Sequence, residues 1–319
     1  MMNSFFPWIG GKKLMRDIIL ERFPVDYDRY IEAFGGAAWI LFAKEPEPFE
    51  VYNDYNSDLT NMFYVVKYRP LAFLEELGFL PLNGKEEFEL FLDWNKRKDF
   101  SVPYEKEELE LAKHYLTPLE YDQYKEMIDN RAILGDVRRA ANFYKLIRYS
   151  YAGGSKSYNG QPVNIMQTYQ TIWRANRRLN ENGIKTESDK RKAAGRAGKG
   201  VIIQNKSFDE LIPLYDRPKA FTYCDPPYYG TEKLYTAKFS RESHCLLRDV
   251  LGSVKGYFML SYNDCDFIRD LYRGYYIESF ERPNSISQRY DPGNMFKEPL
   301  ITNYDTNERK RRQPRQLTL

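Results

Sequence analysis

The chain is poor in the residues that metal and disulfide chemistry require. Its 319 residues include three cysteines, Cys224, Cys245 and Cys265, and two histidines, His114 and His244. The cysteines are odd in number and lack paired metal-ligand spacing, so they read as reduced thiols of a cytosolic protein. Two isolated histidines argue against a zinc site and against a histidine-based triad, and no metal is expected. No apolar run approaches the roughly 20 residues of a membrane span. The start, Met1-Met2-Asn3-Ser4, lacks the basic-then-apolar pattern of a signal peptide. The expected setting is cytoplasmic, with no membrane partner.

Charge is nearly balanced over the whole chain, at +3, but it is unevenly spread. Residues 131–200 hold 15 Lys/Arg against 4 Asp/Glu, a local balance of +11, so the remainder carries −8. A basic middle in an otherwise acidic protein points to a polyanion, and small polar and aromatic residues lie among these charges. A nucleic acid is the expected partner, met by a protein that is monomeric when free.

The most informative stretch is Asp225-Pro226-Pro227-Tyr228. The apolar run Ala220-Phe221-Thr222-Tyr223-Cys224 before it predicts a short buried strand. Neither proline can donate a ladder hydrogen bond, so pairing ends there, and Pro227 keeps its neighbour extended. The product is a stiff turn at the carboxyl end of a strand, where open α/β sheets hold their ligands. It offers a carboxylate, carbonyls outside any ladder and a ring for stacking, which suits a planar ligand with an exocyclic amine, such as adenine. A surface turn begun by Asp-Pro is the plainer alternative.

Two glycine turns precede it. Phe6-Pro7-Trp8-Ile9-Gly10-Gly11-Lys12 brings backbone freedom, a ring and a cation together. Tyr30-Ile31-Glu32-Ala33-Phe34-Gly35-Gly36-Ala37-Ala38 reads as strand, glycine turn and helix start, a setting for a nucleotide-like ligand. Phe49 to Asp54 reads as a second strand ending in an acid about twenty residues on, where doubly wound folds place a carboxylate on ribose hydroxyls. Asn53 is the neighbouring alternative.

Asp-Pro-Pro-Tyr resembles the catalytic signature of amino-group methyltransferases that use S-adenosylmethionine. From about Phe6 to Tyr304 the segments resemble, in order, those of the DNA adenine methylase family, the Dam-like or D12 class. The resemblance implies a doubly wound, Rossmann-like α/β methyltransferase sheet with an inserted, mainly helical target-recognition domain. The catalytic part is expected over 1–70 and 201–305, the insertion over 71–200 and a basic tail over 306–319. It implies methyl transfer from S-adenosylmethionine to N6 of adenine in duplex DNA after base flipping. Asp225, Pro226, Pro227 and Tyr228 are the implied catalytic residues. Trp8, Gly11, Lys12, Phe34, Gly35, Gly36, Asp54 and Asp225 are implied to bind the cofactor. Arg138, Arg148, Ser155, Lys156, Ser157 and Asn159, on a basic helix and the Gly/Ser/Tyr/Asn loop after it, are implied to meet DNA.

Two features depart from the family pattern. Ala38 stands where the glycine turn usually has its last glycine. The stretch 182–200, rich in Lys, Arg, Ala and Gly, is an added loop that either clamps phosphates or has no fixed structure. Three other readings stay open from sequence: transfer to RNA or to a cytosine amine, a DNA-binding relative without chemistry, and a nucleotide-binding oxidoreductase on a similar sheet.

Overall fold

The structure, a computed structural model, describes residues 2–78, 84–97, 105–122, 125, 136–150, 158, 166–181, 183, 200–230, 239–283 and 295–308. Within these the chain forms two compact units. One comprises Met1–Ser4, Gly10–Asn56 and Asn180–Leu319; the other comprises Phe5–Ile9 and Ser57–Leu179. These junctions differ from the expected ones at 70 and 200, because the helix Ser57–Tyr68 packs with the helical unit.

The first unit carries one seven-stranded sheet. Its strands are β1 (Arg29–Glu32), β2 (Glu50–Asn53), β3 (Ile202–Gln204), β4 (Ala220–Cys224), β5 (Tyr257–Ser261), β6 (Tyr276–Pro283) and β7 (Met295–Thr302), in the order β3-β2-β1-β4-β5-β7-β6. The first five run parallel, with Ile31 opposite both Val51 and Thr222. β7 is antiparallel to β5 and to β6. This is a Rossmann-like, mostly parallel sheet, as expected. β2 and β4 are buried along their whole length, as parallel strands covered on both faces are; the apolar run of β4 suits this directly, and β2 manages it with Glu50 paired to Lys44 and Asn53 hydrogen-bonded to the Ala33 carbonyl. Ile31, Val51, Leu211, Leu247, Phe258 and Ile301 belong to its core.

The helix after the first glycine pair spans Arg16–Glu21. Leu14 precedes it and is exposed; Met15, Ile19 and Phe23 are the buried series, at a spacing of four.

In the second unit, the helix Val137–Tyr149 packs against Ser57–Tyr68. Asp136 caps it, accepting from the Arg139 amide at 2.9 Å. The Asn61 side chain grips the Asp136 backbone on both sides, at 3.0 Å each way. Arg139 turns inward to Asp58 at 2.7 Å, so a residue that opens a basic segment serves packing instead. No helix among the described residues is long and apolar enough to cross a membrane.

Candidate active site

Connections leave β1 toward β2 and leave β4 toward β5, in opposite directions along the sheet. The carboxyl ends of these adjacent parallel strands therefore open a crevice at the topological switch point. Both motifs at issue sit there. The turn Phe34–Ala38 follows β1, Asp225–Tyr228 follows β4, and the Ala33 amide donates to the Tyr223 carbonyl at 3.0 Å to hold the two ends together.

The β4 turn is built around a cation. Lys12 is 4% exposed, and its Nζ meets Asp225 Oδ1 at 2.7 Å, the Tyr228 hydroxyl at 2.8 Å and the Gly10 carbonyl at 3.2 Å. Gly10 reaches this turn with a positive φ of 76°, and Gly11 beside it is exposed. Burial pushes the Asp225 carboxyl up to about 6, the Lys12 charge opposes that rise and the Glu298 charge adds to it. Among the described residues no protein donor meets Asp225 Oδ2 or the Pro226 carbonyl, so both acceptors stay open. Pro226 is buried and Pro227 half-buried.

Tyr228 is 6% exposed. Phe296 lies parallel to it, with ring centres 5.9 Å apart, and Tyr262 lies at 6.0 Å. Burial, then the negative charges of Glu298 and Asp225, raise its hydroxyl well above the usual phenol range, so it stays protonated.

At the end of β1, a Cβ on Gly35 would lie 2.2 Å from the Tyr52 ring and 2.9 Å from the Asn53 carbonyl. Glycine is needed there so that the turn can lie flat on β2. Gly36 has φ 48°, and its amide donates to Asp54 Oδ2 at 2.8 Å. The Asn56 amide donates to Oδ1, also at 2.8 Å. Burial raises the Asp54 carboxyl to about 6, against the pull of these two amides. Each oxygen keeps a lone pair, and the group is held in one orientation. Asn53, the alternative acid-end residue, is fully committed: its amide group joins the ends of β1 and β3 through the Ala33 carbonyl, the Lys206 carbonyl and the Lys206 amide. Phe34 forms a triangle of rings with Phe208 and Phe239, at 5.6 to 5.9 Å.

Ala38 is left-handed, at φ 54° and ψ 39°, and fully buried. Its departure from the glycine pattern is thus a strained substitution, since a Cβ in that region costs about 1 to 2 kcal/mol. Ala38→Gly is expected to raise stability by about 0.5 kcal/mol once glycine's greater chain entropy is subtracted. A urea midpoint checks this, and a lower midpoint would contradict the strain.

The other expected site residues divide by unit. Trp8 packs in the helical unit against Phe6 and Phe143, with ring centres 6.3 and 6.0 Å away. Arg138 is exposed and lies 3.7 Å from Glu76. Arg148 is half-buried, and its Nε has no partner among the described residues. Ser155, Lys156, Ser157 and Asn159 lie outside the described residues, as do almost all of 182–200 and the tail from 309.

The model of the D12 class N6 adenine-specific DNA methyltransferases matches residues 8–286. The chain belongs to that family. Like its family, it is an adenine-specific DNA methyltransferase, and the readings as an oxidoreductase and as a cytosine or RNA methyltransferase fall away. It is 25% identical over 322 residues to the type II methyltransferase M1.LlaDCHI of Lactococcus lactis subsp. cremoris, covering 95% of this chain and 96% of that one. It is 24% identical to the retron Ec67 DNA adenine methylase of Escherichia coli, over 86% and 82% of the two chains. It is also 24% identical to the DNA adenine methylase of Haemophilus influenzae, over 90% and 88%. Membership implies a methyl donor and a DNA substrate.

This methyltransferase has site residues that the motifs did not announce. Glu298 of β7 is fully buried; its Oε1 lies 3.4 Å from Lys12 Nζ and its Oε2 2.6 Å from Arg282 Nε. Burial alone would raise its carboxyl, but the Lys12 and Arg282 charges hold it below the usual range. A charged residue inside the apolar strand text Phe296-Lys297-Glu298-Pro299-Leu300-Ile301 is the one signal that could have flagged it.

Proposed function

We propose that the methyl donor is S-adenosylmethionine, held by Lys12, Phe34, Gly35, Gly36 and Asp54, and that Asp225-Pro226-Pro227-Tyr228 presents an extrahelical adenine to it. The supporting observation is a buried carboxylate and an adjacent carbonyl, both with open acceptor capacity, at the carboxyl end of β4. Asp54, fixed by two backbone amides with lone pairs to spare, fits a ribose diol. The Phe34 ring fits an adenine face, and Lys12 fits a carboxylate.

When bound, S-adenosylmethionine supplies a methyl group on a sulfonium sulfur. The chain's own residues do the rest. An adenine amine is a weak nucleophile because its lone pair is delocalised into the ring. Asp225 and the Pro226 carbonyl accept its two hydrogens, which favours a pyramidal nitrogen with a directed lone pair. Tyr228 contacts the base face, and its protonated hydroxyl keeps Lys12 beside Asp225. The adenine must leave the duplex to reach this turn, at a cost of a few kcal/mol offset by contacts in the pocket.

The helical unit is the proposed DNA-binding part. Its helix Met166–Asn180 exposes Trp173, Arg174 and Arg177 beside an open hollow of about 540 Å³, also lined by Leu74, Tyr169 and Gln170. Among the described residues neither Arg174 nor Arg177 has an ion-pair partner, so both are available to phosphates. The protein acts in the cytoplasm, as a monomer when free.

Incubation with unmethylated genomic DNA and S-adenosylmethionine, followed by single-molecule sequencing, is expected to reveal N6-methyladenine within one short motif. Unmodified DNA together with no S-adenosylmethionine binding by calorimetry would refute the proposal. The pH dependence is a second check. Asp225 polarises the amine fully only when ionised, so kcat/KM is expected to fall through an acid limb with its midpoint near pH 6, the value to which burial raises its carboxyl. A plateau that holds to pH 4.5 would contradict the role given to Asp225.

A further inference from the structure

Lys12 and Asp225 do not meet as an isolated pair. The β6–β7 hairpin brings a second acid and a second cation to them, giving the alternating series Arg282, Glu298, Lys12, Asp225. Consecutive members are 2.6, 3.4 and 2.7 Å apart. Oε1 of Glu298 faces the Lys12 ammonium at 3.4 Å, and the Tyr228 hydroxyl also stabilises the Glu298 carboxylate. Phe296 and Arg282 complete the brace. The Phe296 ring lies parallel to Tyr228, and the Arg282 guanidinium sits 4.8 Å over Phe296. Each inner member, Glu298 and Lys12, thus faces two opposite charges.

We propose that Glu298 is a positioning residue for methyl transfer: it shares the Lys12 ammonium with Asp225, so that Lys12 steadies the Asp225 carboxylate without tying it up. The inference rests on the reading of Asp225 as the acceptor for the adenine amine. A lysine answering to Asp225 alone would neutralise it fully and make it a poorer acceptor. A lysine drawn also toward Glu298 leaves Asp225 with more of its negative charge and keeps Oδ2 facing substrate.

The charged and titratable groups around Asp225, with the neutral thiol of Cys224 just before it, enter this balance. Lys12 comes from the N-terminal turn, Glu298 from β7 and Arg282 from β6. Glu32 acts from β1, and Tyr223 and Tyr228 act from β4 and its turn. Lys12 and Arg282 hold the Asp225 carboxyl down, whereas Glu298 pushes it up. Taking away the Glu298 charge therefore moves the acid limb of activity downward in pH.

The test compares full-length Glu298→Gln, Glu298→Asp and Asp225→Asn with the wild type across pH 4.5–8.5, reading kcat, KM for DNA and melting temperature. Glu298→Gln is expected to lower plateau kcat about tenfold and to move the acid limb about one pH unit lower, with KM for DNA unchanged. Glu298→Asp keeps the charge and is expected to restore most of kcat, with the limb between those of Glu298→Gln and wild type. If Glu298→Gln does not fold, the direction of the Glu298→Asp limb decides. A folded Glu298→Gln with wild-type kcat and limb overturns the proposal, as does a wild-type limb in Glu298→Asp when that variant alone folds. Loss of kcat with an unmoved limb reduces Glu298 to a packing role and also overturns it. Full activity in Asp225→Asn would sink the reading of Asp225 itself, a separate outcome.

Discussion

Replacing Asp225 by asparagine is expected to lower kcat at least about a thousandfold while making the protein more stable. The first effect follows from geometry. The amide keeps the shape of the carboxylate but loses its negative charge, so the adenine amine is no longer polarised in a water-poor site where such a contact is worth most. The second follows from linkage. Folding raises the Asp225 carboxyl from its ordinary 3.8 to about 6. A raised carboxyl contributes stability that is complete below the unfolded value and is lost as pH rises through the folded one. At pH 7.5 that contribution is gone, and the charged form is held at a cost of about 2 kcal/mol, discounted for the 19% of the side chain that reaches solvent. A neutral amide avoids it. Thermal melting and single-turnover methylation at pH 7.5 check both halves. An asparagine variant that melts well below wild type would show that Asp225 supports the fold, and one that methylates normally would remove it from the chemistry. Catalytic groups that weaken their own protein are a familiar trade-off.

The second large effect is expected at Gly35. Alanine there would set its Cβ 2.2 Å from a fully buried Tyr52 ring, whose hydroxyl is already bound to the Gly36 carbonyl at 2.8 Å. Neither the ring nor the strand behind it can retreat without losing those contacts. The turn must lift off β2, breaking the Gly35 amide bond to the Asn53 carbonyl at 2.7 Å and the Gly36 bond to Asp54. We expect a loss of about 3 kcal/mol and a fall of more than tenfold in donor affinity. Calorimetry on folded protein separates the two; unchanged melting and unchanged affinity would mean that the turn yields without penalty.

The parts legible in sequence are those where local pattern carries the information. β4 could be read because a strand buried on both faces is a near-continuous apolar run, whereas β1 and β2, which carry Arg29, Glu32, Glu50 and Asn53, are legible from the glycine turn and the acid that follow them. The Asp-Pro-Pro turn could be read because proline ends pairing wherever it occurs. Ala38 could be read as a departure, though only the backbone angle shows that the departure is strained. The first strand of the hairpin could not be read in the same way. β6 is an edge strand, half exposed along its length, and its mixed text has neither a clean alternation nor an apolar run. Glu298 acquires meaning only beside Lys12, and chain separations of that size leave no local signature. Arg139 looked like part of a basic surface because charge counts carry no sense of direction; the structure turns it inward to Asp58.

The hairpin also gives this enzyme a clock. Chains are made from the N-terminus, so Lys12 and then Asp225 leave the ribosome before Arg282, Phe296 and Glu298 exist. A nascent chain that has finished β5 holds the reactive turn, but its sheet has an open edge where β7 will pair with Leu260. Tyr228 still lacks the ring that will lie against it. Closing that edge and bracing the turn are one event, because a single strand does both. Chains that stall before about residue 298 would carry the full signature motif and yet remain without its brace.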